Sequence, residues 1–311
     1  MVSEKLITSF LFGGITILFR TDLALEAKEM VHEKAGKATE IEGVKAETYT
    51  KDDIAITTVD ILNEHGKKVL GKEIGRYITI EMPPFSNFGP SYYERGCLEL
   101  KDALLKLINI KKNDEVLVVG LGNRKITPDA LGNLVVDKLI VTKHLKKLAP
   151  DAVSDFGSIC SIAPGVMGMT GIETMEIIKG VLRQTSVKAV IVIDALASRS
   201  LNRIGTTIQL CNTGISPGSG IGNTRKALNS KSLGIPVIAI GVPMVVHAST
   251  LIADAISKYS SSFTTKDFGE NMIVTPKEVD KILKHMSDIL SGGINMALHS
   301  IPLNEIPQYI D

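Results

Sequence analysis

The sequence predicts an α/β fold: a mostly parallel sheet with helices on both of its faces. Residues 116–119, 189–193 and 237–240 are unbroken aliphatic runs, the mark of strands buried on both sides. Segments of helical periodicity alternate with these runs along the chain. No linker or internal repeat divides the 311 residues, a length able to bury a substantial core.

The elements follow in order. Residues 5–20, "KLITSFLFGGITILFR", have about the length of a signal-peptide core. They lack a small-x-small cleavage site, carry Glu4 and Lys5 at the front and are too short to span a bilayer, so they read as an N-terminal extension of the fold. Alternation in "DDIAITTVDI", residues 52–61, suggests edge strands, and "RYITIEMP", residues 76–83, is a strand closed by its proline. From Tyr92, Leu98, Leu100, Leu104, Leu105, Leu107 and Ile108 fall at helical spacing ahead of the strand at residues 115–120. Thr127 is placed to cap a helix with Pro128 at its first position and the basic "KHLKK" at its end.

Residues 158–164, "SICSIAP", form a further strand. Thr170-Gly171-Ile172-Glu173 has the capping-box pattern, ahead of a face made by Ile172, Met175, Ile178 and Leu182. The runs at 187–200 and 235–243 are strands, the second followed by a helix from about His247 to Tyr259. Residues 260–272 are polar and read as a surface loop. Helices from about Pro276 to His299 close the fold, with the glycines of "SGGIN" expected to kink or split them.

Thirty-five Lys and Arg against thirty-four Asp and Glu leave a net charge of +1, so no global field attracts nucleic acid or an anionic membrane. Cys97, Cys160 and Cys211 form no C-x-x-C pair and read as buried free thiols, and the six histidines show no local metal-ligand spacing. "VLVVGLGNRKITPDALG", residues 116–132, opens like a dinucleotide-binding turn but has Lys125 at the third glycine position. No P-loop and no G-x-S-x-G elbow occurs.

What that glycine turn delivers instead is a carboxylate. Asp129 follows the strand ending at Gly120, and Asp194 is expected to end the strand beginning near Lys188, so both acids lie at the carboxyl edge of the sheet, where ligands gather. Burial should raise the Asp194 pKa while a helix N-terminus favours ionised Asp129, making an acid and base pair that can activate water against a carbonyl. An acid in the first turn of a helix or at a strand end is, taken alone, more often a dipole partner or a loop cap; the shared edge moves the reading towards catalysis. Gly218, Gly220 and Gly222 of "SPGSGIGNTRK" could form an anion-binding nest, with Arg225 and Lys226 behind it. Arg199 and Arg203 could face a substrate carboxylate.

Taken with "APGVMGMTGIET", "VIVIDALASRS", "CNTGISPGSGIGN", "LGIPVIAIGVPMVVHAS", "RTDLALEA" and "MIVTPKEVD", the TPDALG segment resembles the germination protease family of endospore-forming bacteria over residues 20–299. The glycine-led turn also resembles that of hydrogenase-maturation proteases, which implies their phosphorylase/hydrolase-like fold. The resemblance implies a homotetrameric endopeptidase, made as a zymogen in the cytoplasm of the developing forespore and kept in the spore core. It would degrade small acid-soluble spore proteins, with no cofactor and no direct nucleic-acid or membrane partner. Asp129 and Asp194 match the acids of the family's proposed catalytic pair.

Family substrates are cut after the acid of Thr-Glu-(Phe or Ile)-Ala. Thr21-Asp22-Leu23-Ala24 has that pattern, so the implied self-cleavage point is Asp22-Leu23, with residues 1–22 a propeptide and 23–311 one peptidase domain. The chain departs from the family in its apolar propeptide, in its short segment at 260–272 and in His247, which stands where the family carries an acid. Two other readings of the same edge are a metal-dependent hydrolase using Asp129, Asp194 and His247, and a non-catalytic protein holding a nucleotide or peptide.

Overall fold

A computed structural model describes residues 8–12, 15–19, 21–35, 40–84, 90–218, 225–257 and 272–309. The first half of the chain contains β1 (Thr8–Phe12), β2 (Ile15–Phe19), α1 (Ala24–Ala35), β3 (Val44–Lys51), β4 (Ile54–Ile61), α2 (Glu64–Leu70), β5 (Gly75–Glu81), α3 (Pro90–Leu107), β6 (Glu115–Gly120) and α4 (Leu131–Val136). Then come α5 (Leu145–Leu148), β7 (Ser158–Ile162), α6 (Met167–Thr170), α7 (Thr174–Arg183), β8 (Val187–Ser198) and β9 (Thr207–Cys211). The last elements are α8 (Ser230–Leu233), β10 (Val237–His247), α9 (Ala248–Ser257), β11 (Ile273–Val274) and α10 (Val279–His299).

β1 and β2 form a separate antiparallel hairpin, while the main sheet runs β3-β4-β5-β9-β10-β8-β6-β7, with β11 added to β10. The aliphatic runs form its parallel part, β10-β8-β6-β7, as their two-sided burial requires. The remaining strands extend it as antiparallel neighbours. β4 is not an edge strand: it lies between β3 and β5, and the exposed β3 takes the edge.

Alternate residues of each central strand serve opposite faces. Val116, Val118, Ile191 and Ile193 pack with residues of α3, α4 and α10, whereas Leu117, Val119, Val190 and Val192 pack with Met175 and Ile178 of α7. A third cluster places Ala24 of α1 and Leu70 of α2 over Val59, Ile61 and Tyr77. Helices therefore cover both faces, as expected.

Three local expectations are corrected. The helix from Pro128 does not run to "KHLKK": Thr127–Asp129 is a single 3₁₀ turn without a side-chain cap, and α4 ends at Val136. Beyond it the backbone is captured elsewhere, since Asn295 of α10 accepts from Ile140 N–H and the Ile159 carbonyl accepts from Thr142 N–H. The basic cluster forms the separate turn α5.

Thr170 caps nothing across a box. It closes α6, Gly171 takes the left-handed conformation, and α7 starts from Glu173 with no side-chain cap. The "SGGIN" glycines neither kink nor split α10, which is one helix of 21 residues. A Cβ on Gly292 would sit 2.7 Å from Cys97 Sγ, and one on Gly293 would sit 2.9 Å from the Cys97 carbonyl oxygen. Their bareness lets α10 lie directly on α3.

The polar stretch at 260–272 falls almost wholly outside the described residues, as do residues 1–7. Cys97 and Cys211 are buried free thiols and Cys160 is half-buried. No helix among the described residues is long and apolar enough to cross a membrane.

Candidate active site

At the end of β6 the chain turns through Gly122, whose φ of +97° is a conformation that side chains avoid. The turn brings the Asn123 N–H to the Asp129 carboxylate, which accepts at 2.8 Å. It is pinned to the neighbouring strand by Leu121 N–H donating to the Ile193 carbonyl at 2.8 Å, and held outside by a bidentate Arg124–Asp137 pair at 2.6 and 2.8 Å. The 3₁₀ turn carrying Asp129 touches β8, β10 and α10. Tight geometry is thus spent on fixing one carboxylate against β8.

Asp194 stands opposite. It does not end its strand, because β8 continues to Ser198 paired with β10; only its pairing with β6 stops, at Gly120 opposite Ile193. Asp194 is 5% exposed and accepts from its neighbour Ala195 N–H at 3.0 Å. Asp129 and Asp194 line one cleft with a cavity volume of about 40 Å³, together with Leu121, Gly122, Gly165, Val166, Thr174, Pro217, Gly218 and Arg225.

Burial pushes the Asp194 carboxyl well above the ordinary range, and the negative charges of Asp129 and Asp22 add to it. Asp129 departs from expectation. Its carboxyl is also raised, by desolvation, with the Asn123 N–H and the Arg225 charge pulling the other way. The 3₁₀ turn is too short to supply the dipole that a longer helix would have given.

Of the other residues singled out from sequence, Gly218 lines the cleft, whereas Gly220 and Gly222 lie outside the described residues. Arg199 and Arg203 do not face the cleft. Arg199 pairs with Glu33 at 2.6 Å, and Arg203 binds Glu29 at 2.6 and 2.7 Å and Glu81 at 2.8 Å, tying α1 to the turn after β8. His247 is buried at the far end of β10 opposite Ile273, six residues beyond Gly241, the partner of Asp194. The strand rise puts it roughly 20 Å from the pair. Among the described residues no three His, Cys, Asp or Glu gather as metal ligands.

Asp22 and Leu23 are held near the carboxylates. Asp22 N–H donates to the Ala197 carbonyl and its carboxylate accepts from Ala197 N–H, both at 2.9 Å. Gln209 spans the Asp22–Leu23 junction: its Nε2 donates to the Asp22 carbonyl at 3.1 Å and its Oε1 accepts from Ala24 N–H at 2.7 Å. Leu23 and Ala24 are fully buried. Gln209 and Thr174 carried too little signal to be placed at the site from sequence, although Thr174 follows the loop after β7 at the same carboxyl edge as both acids; Arg225, read from sequence as standing behind the glycine nest, does line the cleft.

Fold and cleft together define an α/β protein built around a pair of strand-edge carboxylates. A family model described as germination protease matches residues 24–266 and 262–308. The chain is 43% identical over 323 residues to the germination protease of Clostridium perfringens, covering 94% of this chain and 99% of the relative. It is 45% identical over 313 residues to that of Caldanaerobacter subterraneus, covering 91% and 95%. To that of Bacillus subtilis it is 38% identical over 345 residues, covering 91% and 94%. The chain belongs to the germination protease family and is a peptidase of spore germination. Among solved structures, a [NiFe] hydrogenase maturation protease from Thermococcus kodakarensis aligns with 60% of this chain and 98% of its own, at 17% identity and a TM-score of 0.29.

Proposed function

We propose that this protease is an endopeptidase that activates water with Asp129 and Asp194. The observation that carries the reading is the placement of both carboxylates in one cleft, with Asp194 almost wholly buried. In this reading the two raised carboxyls, Asp194 with the Asp129 charge beside it, share a single proton. Asp194, the more deeply buried, keeps it. Asp129, supported by the Asn123 N–H and the Arg225 charge, is the base.

Water in the cleft gives a proton to Asp129 as its oxygen bonds to the scissile carbonyl carbon. The Asp194 proton then passes to the amide nitrogen as the C–N bond breaks. Proton return from Asp129 to Asp194 restores the pair.

The substrates in this reading are small acid-soluble spore proteins in the forespore and spore core, cut after the acid of a Thr-Glu-(Phe or Ile)-Ala sequence by a homotetramer. The precursor is processed at Asp22-Leu23. Support comes from the match of Thr21-Asp22-Leu23-Ala24 to that pattern and from the charge of Asp22 reaching Asp194. Because Leu23 is buried and Gln209 grips both sides of the junction, cutting requires this segment to be released first, which makes processing a slow, triggered event.

Mass spectrometry of wild type, Asp129→Asn and Asp194→Asn through a slow fall in pH, with a Thr-Glu-Ile-Ala peptide present, tests the proposal. Loss of residues 1–22 and cleavage after Glu are expected in wild type alone. Equal cleavage in all three would discard the aspartate pair.

A further inference from the structure

Once Asp129 takes the water proton and Asp194 reserves its own for the leaving nitrogen, the carbonyl oxygen is left to accumulate negative charge beside two acids. Neither acid can stabilise that charge, so a donor is required elsewhere in the cleft. Thr174 lines the same cleft and is 5% exposed. Among the described residues its hydroxyl and its N–H have no hydrogen-bond partner. Thr79, Thr207 and Thr250 bury hydroxyls without partners, but none of them lines this cleft.

Thr174 is moreover the first residue of the ten-residue helix α7, whose N-cap, Glu173, offers no side-chain cap. The first-turn N–H groups of Glu176 and Ile177 are engaged by the Glu173 carbonyl, so the free donors at this positive helix end are those of Thr174 and Met175. A hydroxyl on a residue 5% exposed, a free N–H and a helix N-terminus therefore converge on a cleft whose other polar walls are carboxylates and Arg225.

We propose that Thr174 is a catalytic residue that donates to the scissile carbonyl oxygen as it becomes an oxyanion, with the N-terminus of α7 behind it. The inference rests on the carboxylate-pair reading. Loss of one such donor lowers kcat by roughly 100-fold or more in acyl-transfer sites. Because the backbone N–H would survive, Thr174→Val should lower kcat about 30-fold with KM little changed. Thr174→Ser, which restores the hydroxyl, should stay within about threefold of wild type. A phosphinate analogue of the Thr-Glu-Ile-Ala peptide should bind Thr174→Val more weakly by the same factor as the fall in kcat/KM.

The experiment measures kcat, KM and phosphinate affinity for both variants in the processed protein, beside Asp129→Asn and Asp194→Asn and with thermal melts of each. A Thr174→Val kcat within threefold of wild type, with both aspartate variants inactive, would overturn the inference and leave the pair standing. Equal losses in the Val and Ser variants would likewise overturn it, by assigning the effect to packing. Activity in Asp194→Asn would instead sink the reading on which it rests.

Discussion

Replacing Gly122 with alanine tests whether the glycine turn exists to aim Asp129. A Cβ at this position would lie 1.8 Å from the Asp129 carbonyl oxygen and 3.1 Å from its carboxylate Oδ1. Ordinary contact begins near 3.4 Å, so the Asp129 peptide must retreat by about 1.6 Å or the turn must rearrange. The backbone adds its own cost, since φ of +97° strains any side chain by roughly 1–3 kcal/mol. A shift of about 1 Å in a reacting group is enough for a 100-fold loss of rate, so kcat should fall at least that far. The melting temperature should fall by roughly 3–10 °C.

The assay is peptide turnover well below the melting point, with Gly180→Ala as control, because a Cβ there meets nothing within 4 Å. If Gly122→Ala is folded and retains a third or more of the wild-type kcat, the turn does not set the position of the catalytic carboxylate.

Asp194→Asn should be inactive yet more stable. A carboxyl whose folded pKa is raised contributes stability below its unfolded pKa and loses it as pH rises through the folded value, so the advantage of the amide, about 1 kcal/mol, should widen from acid to neutral pH. Denaturant melts across that range would contradict this if the two proteins stayed parallel. His299, buried beneath Phe156 with its Nε2 2.9 Å from the Ile140 carbonyl oxygen, has its pKa lowered to about 4 by burial. Its contribution is present above the unfolded value near 6.5 and is lost as pH falls towards 4, on the order of 3 kcal/mol in all. His299→Gln should flatten that acid limb in a melt-versus-pH series.

The parallel strands and both acids were legible because their signals are local: an aliphatic run long enough to be buried on two faces, followed by a lone carboxylate. The interruption after Val136 was not, since it depends on Asn295 and Ile159 seizing backbone that would otherwise continue a helix. Glycine in "SGGIN" reads as a helix breaker until α3 is known to pass within a Cβ's width. Arg199 and Arg203 read as free cations because their partners, Glu29, Glu33 and Glu81, lie more than 100 residues away in sequence. Thr174 needed the fold most, because a threonine after a glycine loop has no meaning until α7 is placed across from β8.

The helix α10 packs on α3 and α4 and touches the turn that bears Asp129, although its residues come near the end of the chain. A ribosome making this protein therefore releases both acids long before it releases their buttress. Nascent chains and fragments stalled short of residue 279 would carry both acids without the wall that fixes Asp129. On the proposed mechanism, a copy unfinished at residue 279 lacks the wall that fixes Asp129 and should have no peptidase activity.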